Sequence, residues 1–312
     1  MTVRASVVIP TRGGRARLPR LLASLAAQTE ASWQAIVVID GDTDGTVELL
    51  GSYSHLPIVP LELPENRGRS VALSAGFAAA AGEVLIRCDD DLELPTTFLA
   101  AHLSHHTSAD CSVGVIGLCA NVYVDSPYAR AYGRPADARA RMAAYATPSD
   151  QTWRHWGANV SVTRETYDRV GPYDPRYRAY GWEDVDWGYR LHHLGVPITI
   201  DPACEVKHLG AASNTLDRAK RAYLSSAARE TFRVIHGPLA DPPAVRDRTP
   251  WNRLLDITAA PLSLRTLPVA ARIAEGAAAV LPRRIGEKAI ALTVESASLA
   301  GSRRPHDTTV TV

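Results

Sequence analysis

Short β-branched runs alternate with helical patterns through the first third of the chain. Four apolar runs are typical of buried strands, at residues 6–9, 36–39, 58–63 and 84–88. Leu18, Leu21, Leu22 and Leu25 have the spacing of an amphipathic helix, and the alanine-rich stretch 71–81 predicts another. Strands that alternate with helices predict an α/β fold with a mostly parallel sheet flanked by helices.

Polar side chains follow three of these strands at the points where they end. Pro10, Thr11 and Arg12 follow the first strand, Asp40 follows the second, and the triplet 89–91 follows the fourth. Sheets of this kind bind ligands beyond the carboxyl ends of their strands. The fold is therefore expected to bring these residues to one edge of the sheet.

The triplet Asp89-Asp90-Asp91 places three carboxylates side by side. Neighbouring like charges repel by on the order of 1 kcal/mol even in water, and by more when they are partly buried. A divalent cation with oxygen ligands would offset this repulsion. The alternative is an acidic loop that is simply solvated.

The middle of the chain has a less regular pattern. Helices are predicted at 96–106, 183–194 and from Asn214 to about 235, and strands at 113–124, 159–163 and 197–204. Residues 126–152 show no strand pattern and predict a mobile loop or a short helix. The segment 254–280 is rich in alanine and leucine with scattered arginines, and predicts a helical C-terminal extension.

Composition excludes several classes of protein. The net charge is +1, so nucleic acid is not expected as a partner. The four cysteines lack metal-ligand spacing and are interpreted as small buried residues in a reducing compartment. No run of about 18 apolar residues is found, and a strand begins by about Ala5 where a signal peptide would lie. A cytoplasmic location is expected, with contact to the cytoplasmic face of a membrane left open.

Two further stretches carry candidate chemistry. Glu183 and Asp184 fall in the first turn of a predicted helix, where amide dipoles favour ionised carboxylates and a base is available at neutral pH. Asp186 lies four residues before Arg190, and we interpret those two as a structural pair. His208 follows a strand-like segment and can complete an oxygen-rich site as a neutral ligand, which suits manganese better than magnesium.

The order of these motifs resembles the family 2 glycosyltransferases over about residues 5–236. The resemblance rests on the following stretches: Ser6-Val7-Val8-Ile9-Pro10-Thr11, Asp40-Gly41-Asp42-Thr43-Asp44-Gly45-Thr46, Glu65-Asn66-Arg67-Gly68, Ala81-Gly82-Glu83, Asp89-Asp90-Asp91, Trp182-Glu183-Asp184 and His208. Members of this family have the GT-A fold, in which a Rossmann-like nucleotide-binding half is joined to an acceptor-binding half. Each motif alone is weak, but their order is specific.

The resemblance implies a role for each matching residue. Pro10, Thr11 and Asp40 would contact the nucleoside, Asp89 the ribose, and Asp91 with His208 a Mn²⁺ or Mg²⁺ ion on the diphosphate. Asp184 would be the catalytic base of an inverting enzyme, and Trp182 and Glu183 would bind the acceptor. Asp90 is placed in the donor site without a defined contact.

The chain departs from the family pattern at two places. Arg12-Gly13-Gly14 replaces an aromatic-asparagine pair, and Leu73-Ser74 replaces an Arg-Asn pair. Both departures affect contacts to the base of the nucleotide. Arg12, Arg67 or Arg69 could compensate by binding phosphate or base edges.

The expected function is metal-dependent, inverting transfer of a sugar from a nucleoside-diphosphate sugar, most often UDP-linked, to an acceptor hydroxyl on a glycan, a lipid-linked molecule or a small molecule. A sugar-phosphate nucleotidyltransferase and a non-catalytic nucleotide-sugar-binding protein are the alternatives. The expected domains are 1–237, divided near 125 into donor and acceptor halves, the extension 238–301 and a disordered tail 302–312. The extension is expected to contact a membrane surface or a partner chain, or to pack on its own domain.

Overall fold

The computed structural model describes residues 3–107, 112–178, 180–242 and 247–304. Two compact units are found. Residues 1–122, 141–178 and 183–210 form the first, here called the sheet unit. Residues 123–140, 179–182 and 211–312 form the second, the helical unit. The domain boundaries predicted above stay predictions beside this grouping. The predicted tail is 302–312; Ser302 is the last residue of a helix, and residues 305–312 lie outside the described residues.

Ten strands are present in the described part of the sheet unit. In chain order they are β1 (Ala5–Thr11), β2 (Trp33–Asp40), β3 (Ile58–Leu63), β4 (Val84–Cys88), β5 (Leu92–Glu93), β6 (Gly114–Ile116), β7 (Cys119–Asn121), β8 (Asn159–Thr163), β9 (Ile198–Ile200) and β10 (Val206–His208). Seven of them form one sheet in the order β3-β2-β1-β4-β8-β6-β9, and β5, β10 and β7 form a second.

The large sheet is mostly parallel, as the sequence predicts. Only β8 runs against its neighbours β4 and β6, while the remaining pairs are parallel. The strand interrupted by Pro60 lies at the edge, where a missing N–H is tolerated. The predicted fold class is therefore confirmed.

The helices account for the rest of the regular structure. Their bounds are α1 (Leu18–Ala26), α2 (Thr46–Gly51), α3 (Arg69–Ala79), α4 (Phe98–Ser104), α5 (Arg134–Tyr145), α6 (Arg164–Val170), α7 (Glu183–His193), α8 (Thr215–His236), α9 (Pro250–Ala259), α10 (Leu267–Val280) and α11 (Arg283–Ser302). A π-helical turn, Ala129–Gly133, leads into α5, so regular structure fills much of the segment predicted as a loop or short helix. No helix among the described residues is long and apolar enough to cross a membrane.

The predicted strand 113–124 is wrong in one respect, because two short strands in different sheets replace it. Gly117 lies between them, where a Cβ would overlap the carbonyl of Cys204 and the side chain of Asn159. The chain can pass this point only without a side chain, and there it leaves one sheet for the other. The predicted strand 197–204 likewise stops early, since a 3-10 turn at Pro202–Cys204 follows β9.

Each unit has its own apolar core. In the sheet unit the four predicted leucines of α1 are fully buried against β1 and β2. In the helical unit Tyr223 and Ala297 are buried where α8 meets α11. Each leucine of α1 buried in this way contributes about 1.5–3 kcal/mol.

A buried histidine links α4 to β8. His102 Nε2 donates to Asn159 Oδ1 at 3.0 Å, and Nδ1 lies 2.9 Å from Ser161 Oγ. Burial lowers the pKa of His102 from its ordinary 6.5 to about 3, although the Asn159 hydrogen bond opposes the shift. The His102 ring is therefore neutral in the folded protein at neutral pH.

This histidine should make the protein sensitive to acid. Between pH 6.5 and 3, His102 is protonated in the unfolded chain and neutral in the native protein. The free energy of unfolding therefore falls as pH falls, by about 1.4 kcal/mol per pH unit. His102→Gln keeps polar partners without a titrating group and should reduce the slope of the free energy of unfolding against pH, measured by urea unfolding. Part of the slope should remain, because burial also lowers the pKa of His106, to about 4. The exposed His55→Gln is the matched control, and an unchanged slope in His102→Gln would contradict this account.

Candidate functional site

The carboxyl ends of β1, β2 and β4 carry the predicted donor-site residues. Thr11 and Asp40 are the last residues of β1 and β2, and the aspartate triplet follows β4. Pro10 is half-buried within β1, and the carbonyl of Arg12 accepts a hydrogen bond from Arg17 at 2.9 Å.

Asp90 is held inside the protein by two neighbours. Its carboxylate accepts hydrogen bonds from the Thr11 hydroxyl and from Arg17, whose Nε and Nη2 lie 2.9 and 2.7 Å from the two oxygens. The hydrogen bond to Asp90 raises the pKa of Arg17. Sequence reasoning missed Arg17, which tethers the loop after β1 to the triplet.

Asp40 is also engaged by the protein. Its carboxylate is buried and accepts the backbone N–H groups of Arg67 at 2.6 Å and Gly68 at 2.9 Å. Gly68 has a φ of +88°, a conformation that favours glycine. Asp40 therefore fixes the turn before α3, and the side chain of Arg67 extends from that turn, 4.0 Å from Glu65.

Arg87 is the main residue that sequence reasoning missed. It lies in β4 with 1% of its side chain exposed, and Nη2 is 3.1 Å from Asp89 Oδ1. Its Nη1 forms an ion pair with Asp184 Oδ1. One guanidinium thus joins the first triplet aspartate to the predicted catalytic base. A lone cation inside an apolar strand was the available signal.

The helix predicted to begin with Glu183 and Asp184 is α7. Glu183 is almost fully buried, with Oε1 3.4 Å from Arg69 Nη1, and Oε2 has no hydrogen-bond partner in the described part of the chain. Asp186 is bonded by Arg190 at 2.9 Å, which is the structural pair interpreted from the sequence. Asp184 is partly exposed and turned to Arg87.

Trp182 belongs to the helical unit and has the unusual φ of +73° for a non-glycine residue. Its ring packs 5.2 Å from that of Phe232, and the guanidinium of Arg229 lies 5.4 Å from its centroid. Backbone strain of this kind costs on the order of 1–3 kcal/mol and persists only where the surroundings impose it. The ring is thus held in a defined position.

Asp91 and His208 face each other across β5 and β10. His208 Nδ1 lies 2.6 Å from Asn121 Oδ1 and donates to that carbonyl, so Nε2 of the neutral ring carries a lone pair. Nε2 is 3.2 Å from Asp91 Oδ2, and two acceptors at this distance require a cation, a proton or a metal, between them. Burial raises the pKa of Asp91, but His208 outweighs it and the pKa is lowered.

The surroundings of Asp91 fit a metal ion. Its Oδ1 is buried without a hydrogen-bond partner among the described residues, and a Cβ at Gly210 would overlap Oδ2. A carboxylate oxygen and an imidazole whose other nitrogen is fixed by a hydrogen bond are common ligands of Mn²⁺. The predicted ligands Asp91 and His208 are therefore brought together in a suitable geometry.

A second cluster of metal-ligand types lies elsewhere in the sheet unit. The ligand atoms of His105, Asp201 and Cys204 lie within 4.8 Å of one another. His105 Nε2 and Asp201 Oδ2 are 2.6 Å apart, and burial raises the pKa of the Cys204 thiol to about 12. A protonated thiol and a hydrogen-bonded His-Asp pair explain this cluster without a metal.

Comparison with known families identifies the class of protein. The family described as "Glycosyl transferase family 2" matches residues 6–165, and the description "N-terminal domain of galactosyltransferase" matches residues 138–210. The chain belongs to glycosyltransferase family 2. The predicted family and enzyme class are thereby confirmed.

Two curated relatives illustrate the range of the family. The chain is 29% identical to validoxylamine A glucosyltransferase of Streptomyces hygroscopicus subsp. jinggangensis over 62% of its length and 53% of the relative's. It is 25% identical to undecaprenyl-phosphate 4-deoxy-4-formamido-L-arabinose transferase of Salmonella dublin over 63% and 54%. The chain thus spans about half the length of these relatives.

Solved structures confirm the fold over nearly the whole chain. A mannosyltransferase of Pyrobaculum calidifontis in complex with GDP-Man and Mn²⁺ has a TM-score of 0.58 at 21% identity, covering 95% of this chain and 86% of that one. TarS of S. aureus in complex with UDP-GlcNAc has a TM-score of 0.52 at 14% identity, covering 96% and 92%. At these identities the likeness shows the GT-A fold alone.

Removing Arg17 should destabilise the protein, because it leaves the buried Asp90 carboxylate with one partner. Arg17→Met is expected to lower the free energy of unfolding by about 1–3 kcal/mol. Arg15 lies in the same loop as Arg17, and Arg15→Met removes an exposed ion pair with Glu48 of α2 and an exposed hydrogen bond to the Gly45 carbonyl, which together should cost less than about 1 kcal/mol. Urea unfolding of both variants tests the difference, and equal losses would show that Asp90 does not depend on Arg17.

Proposed function

We propose that this chain is a metal-dependent, inverting glycosyltransferase that moves a sugar from a nucleoside-diphosphate sugar to an acceptor hydroxyl. The observation that carries the proposal is the ion-pair chain at the end of β4, in which Arg87 contacts both Asp89 and Asp184. This contact brings a donor-site carboxylate and a base candidate to one place. Asp91 lies two residues after Asp89 in the same loop and contacts His208 of β10.

The donor is proposed to be UDP-linked and to lie along the ends of β1, β2 and β4. Solved relatives are complexed with GDP-Man and with UDP-GlcNAc, so this fold accepts either nucleoside. Asp40 would reach the base with whichever lone pairs its two backbone hydrogen bonds leave free, and Pro10 and Thr11 would contact the nucleoside. Arg12 and Arg67 are positioned on flanking turns and would bind phosphate.

A divalent ion, Mn²⁺ or Mg²⁺, held by Asp91 and His208 would neutralise the charge that develops on the diphosphate leaving group. Asp184 takes the proton from the acceptor hydroxyl as it attacks the anomeric carbon from the opposite face. The anomeric carbon–oxygen bond to the diphosphate breaks as the new glycosidic bond forms, so configuration inverts. Arg87 holds and orients Asp184, and Trp182 and Glu183 are proposed to contact the acceptor.

The acceptor is proposed to be a molecule that carries a free hydroxyl group. The names of the relatives mention validoxylamine A in one case and undecaprenyl phosphate in the other. A hydroxyl on either kind of molecule, or on a glycan, fits a base such as Asp184. A nucleotidyltransferase would instead release pyrophosphate from a sugar phosphate and a nucleoside triphosphate. A binding protein would bind the donor without turnover.

Asp184→Asn tests the catalytic base. The amide keeps the shape of the side chain but cannot accept a proton, so kcat should fall by about 10²–10⁴. Donor affinity, measured by calorimetry with a nucleoside-diphosphate sugar and Mn²⁺, should change little. Asp168→Asn, an exposed carboxylate on α6, is the control. Near-normal turnover in Asp184→Asn would rule out this assignment.

Metal binding can be tested without turnover. Titration of the protein with Mn²⁺, followed by the electron paramagnetic resonance signal of free ion, should show one site that is weakened at least tenfold in His208→Ala and Asp91→Asn. His55→Ala is the control for an exposed imidazole. Unchanged Mn²⁺ affinity in both site variants would refute the ligand assignment, and full activity in excess chelator would refute the metal requirement.

A further inference from the structure

One face of α10 is apolar where a surface helix is normally polar. Val269, Ile273 and Val280 are 62%, 69% and 81% exposed, and their spacing places them on one side of the helix. Leu267, Ala271 and Ala274 are buried against the core of the helical unit. Both sides of α10 are therefore apolar, and only one of them is covered by the described part of this unit.

The apolar surface continues around the turn into α11. Leu281 and Ile285 are 44% and 50% exposed on either side of Pro282. Together with the three exposed residues of α10 they form what is here called the α10–α11 surface. Five exposed aliphatic side chains thus lie within residues 269–285.

Basic residues accompany this surface. Residues 265–288 contain five cations, Arg265, Arg272, Arg283, Arg284 and Lys288, all exposed, and none has an ion pair with another residue that the structure describes. The two acids of the segment are engaged, because Glu275 accepts the N–H of Thr215 at 3.0 Å and Glu287 binds Arg139 at 2.9 Å.

Two of these cations occupy an unfavourable position in their own helix. Arg283 and Arg284 begin α11, and no acidic residue lies in its first turn. The amide dipoles make a helix N-terminus positive, so basic side chains there add like charge to like. An external anion would offset both the dipole and the guanidinium charges.

We propose that the α10–α11 surface docks on an anionic lipid bilayer. The aliphatic side chains would enter the boundary between headgroups and acyl chains, and the arginines would bind lipid phosphates. A second copy of the chain fits less well, since a two-fold interface would bring Arg283 and Arg284 towards their own copies. This inference does not depend on the proposed reaction.

Co-sedimentation of the full chain with vesicles tests the proposal. Binding should be at least tenfold stronger to vesicles that contain about one-third phosphatidylglycerol than to pure phosphatidylcholine, and it should weaken in high salt because screening shortens the reach of the charges. Either change, Ile273→Asp with Val280→Asp or Arg283→Gln with Arg284→Gln, should reduce binding at least tenfold.

Matched controls come from exposed residues elsewhere. Val234→Asp changes a 75% exposed aliphatic residue on α8, and Arg169→Gln removes an exposed charge on α6, and both should bind vesicles as the unchanged protein does. Circular dichroism verifies that each variant is folded. No binding, equal binding to neutral vesicles, or unchanged binding in both surface variants would overturn the proposal. So would a stable dimer, seen by light scattering, that Val280→Asp dissociates while vesicles are not bound.

Discussion

A single buried guanidinium, that of Arg87, joins two carboxylates at one edge of the large sheet. Arg87 points from the middle of β4, where its charge would be very unfavourable without anionic partners. Asp89 supplies one partner from the same chain segment, and Asp184 supplies the other from the start of α7. The start of α7 is therefore joined to the end of β4 by a buried ion pair.

Each of the three aspartates after β4 has a different partner. Asp89 contacts Arg87, Asp90 contacts Thr11 and Arg17, and Asp91 contacts His208. The repulsion inferred from the sequence is thus offset in three different ways, and a shared metal is not needed to explain all of it. Of these three aspartates, only Asp91 has a buried oxygen without a hydrogen-bond partner in the described chain, which supports its proposed role as a metal ligand.

The elements predicted correctly from the sequence are those whose bounds are determined by local residue patterns. The runs that became β3, β4 and β8 have the predicted bounds because β-branched residues and turn signals mark them, and Asn214 caps α8 as expected. The break at Gly117 was missed, because its cause is the close approach of Cys204, which lies far along the chain. The partners of Arg17 and Arg87 were missed for the same reason, since contacts between distant segments have no periodicity.

The pairing of Asp184 with Arg87 bears on how a base could work there. The guanidinium contacts Asp184 through Oδ1 and Asp89 through Oδ1, so one buried cation fixes both carboxylates. A base fixed by an ion pair keeps its carboxylate in a defined orientation, which reduces the orientational freedom lost on reaching the transition state. One arginine would then align both substrates of the proposed transfer.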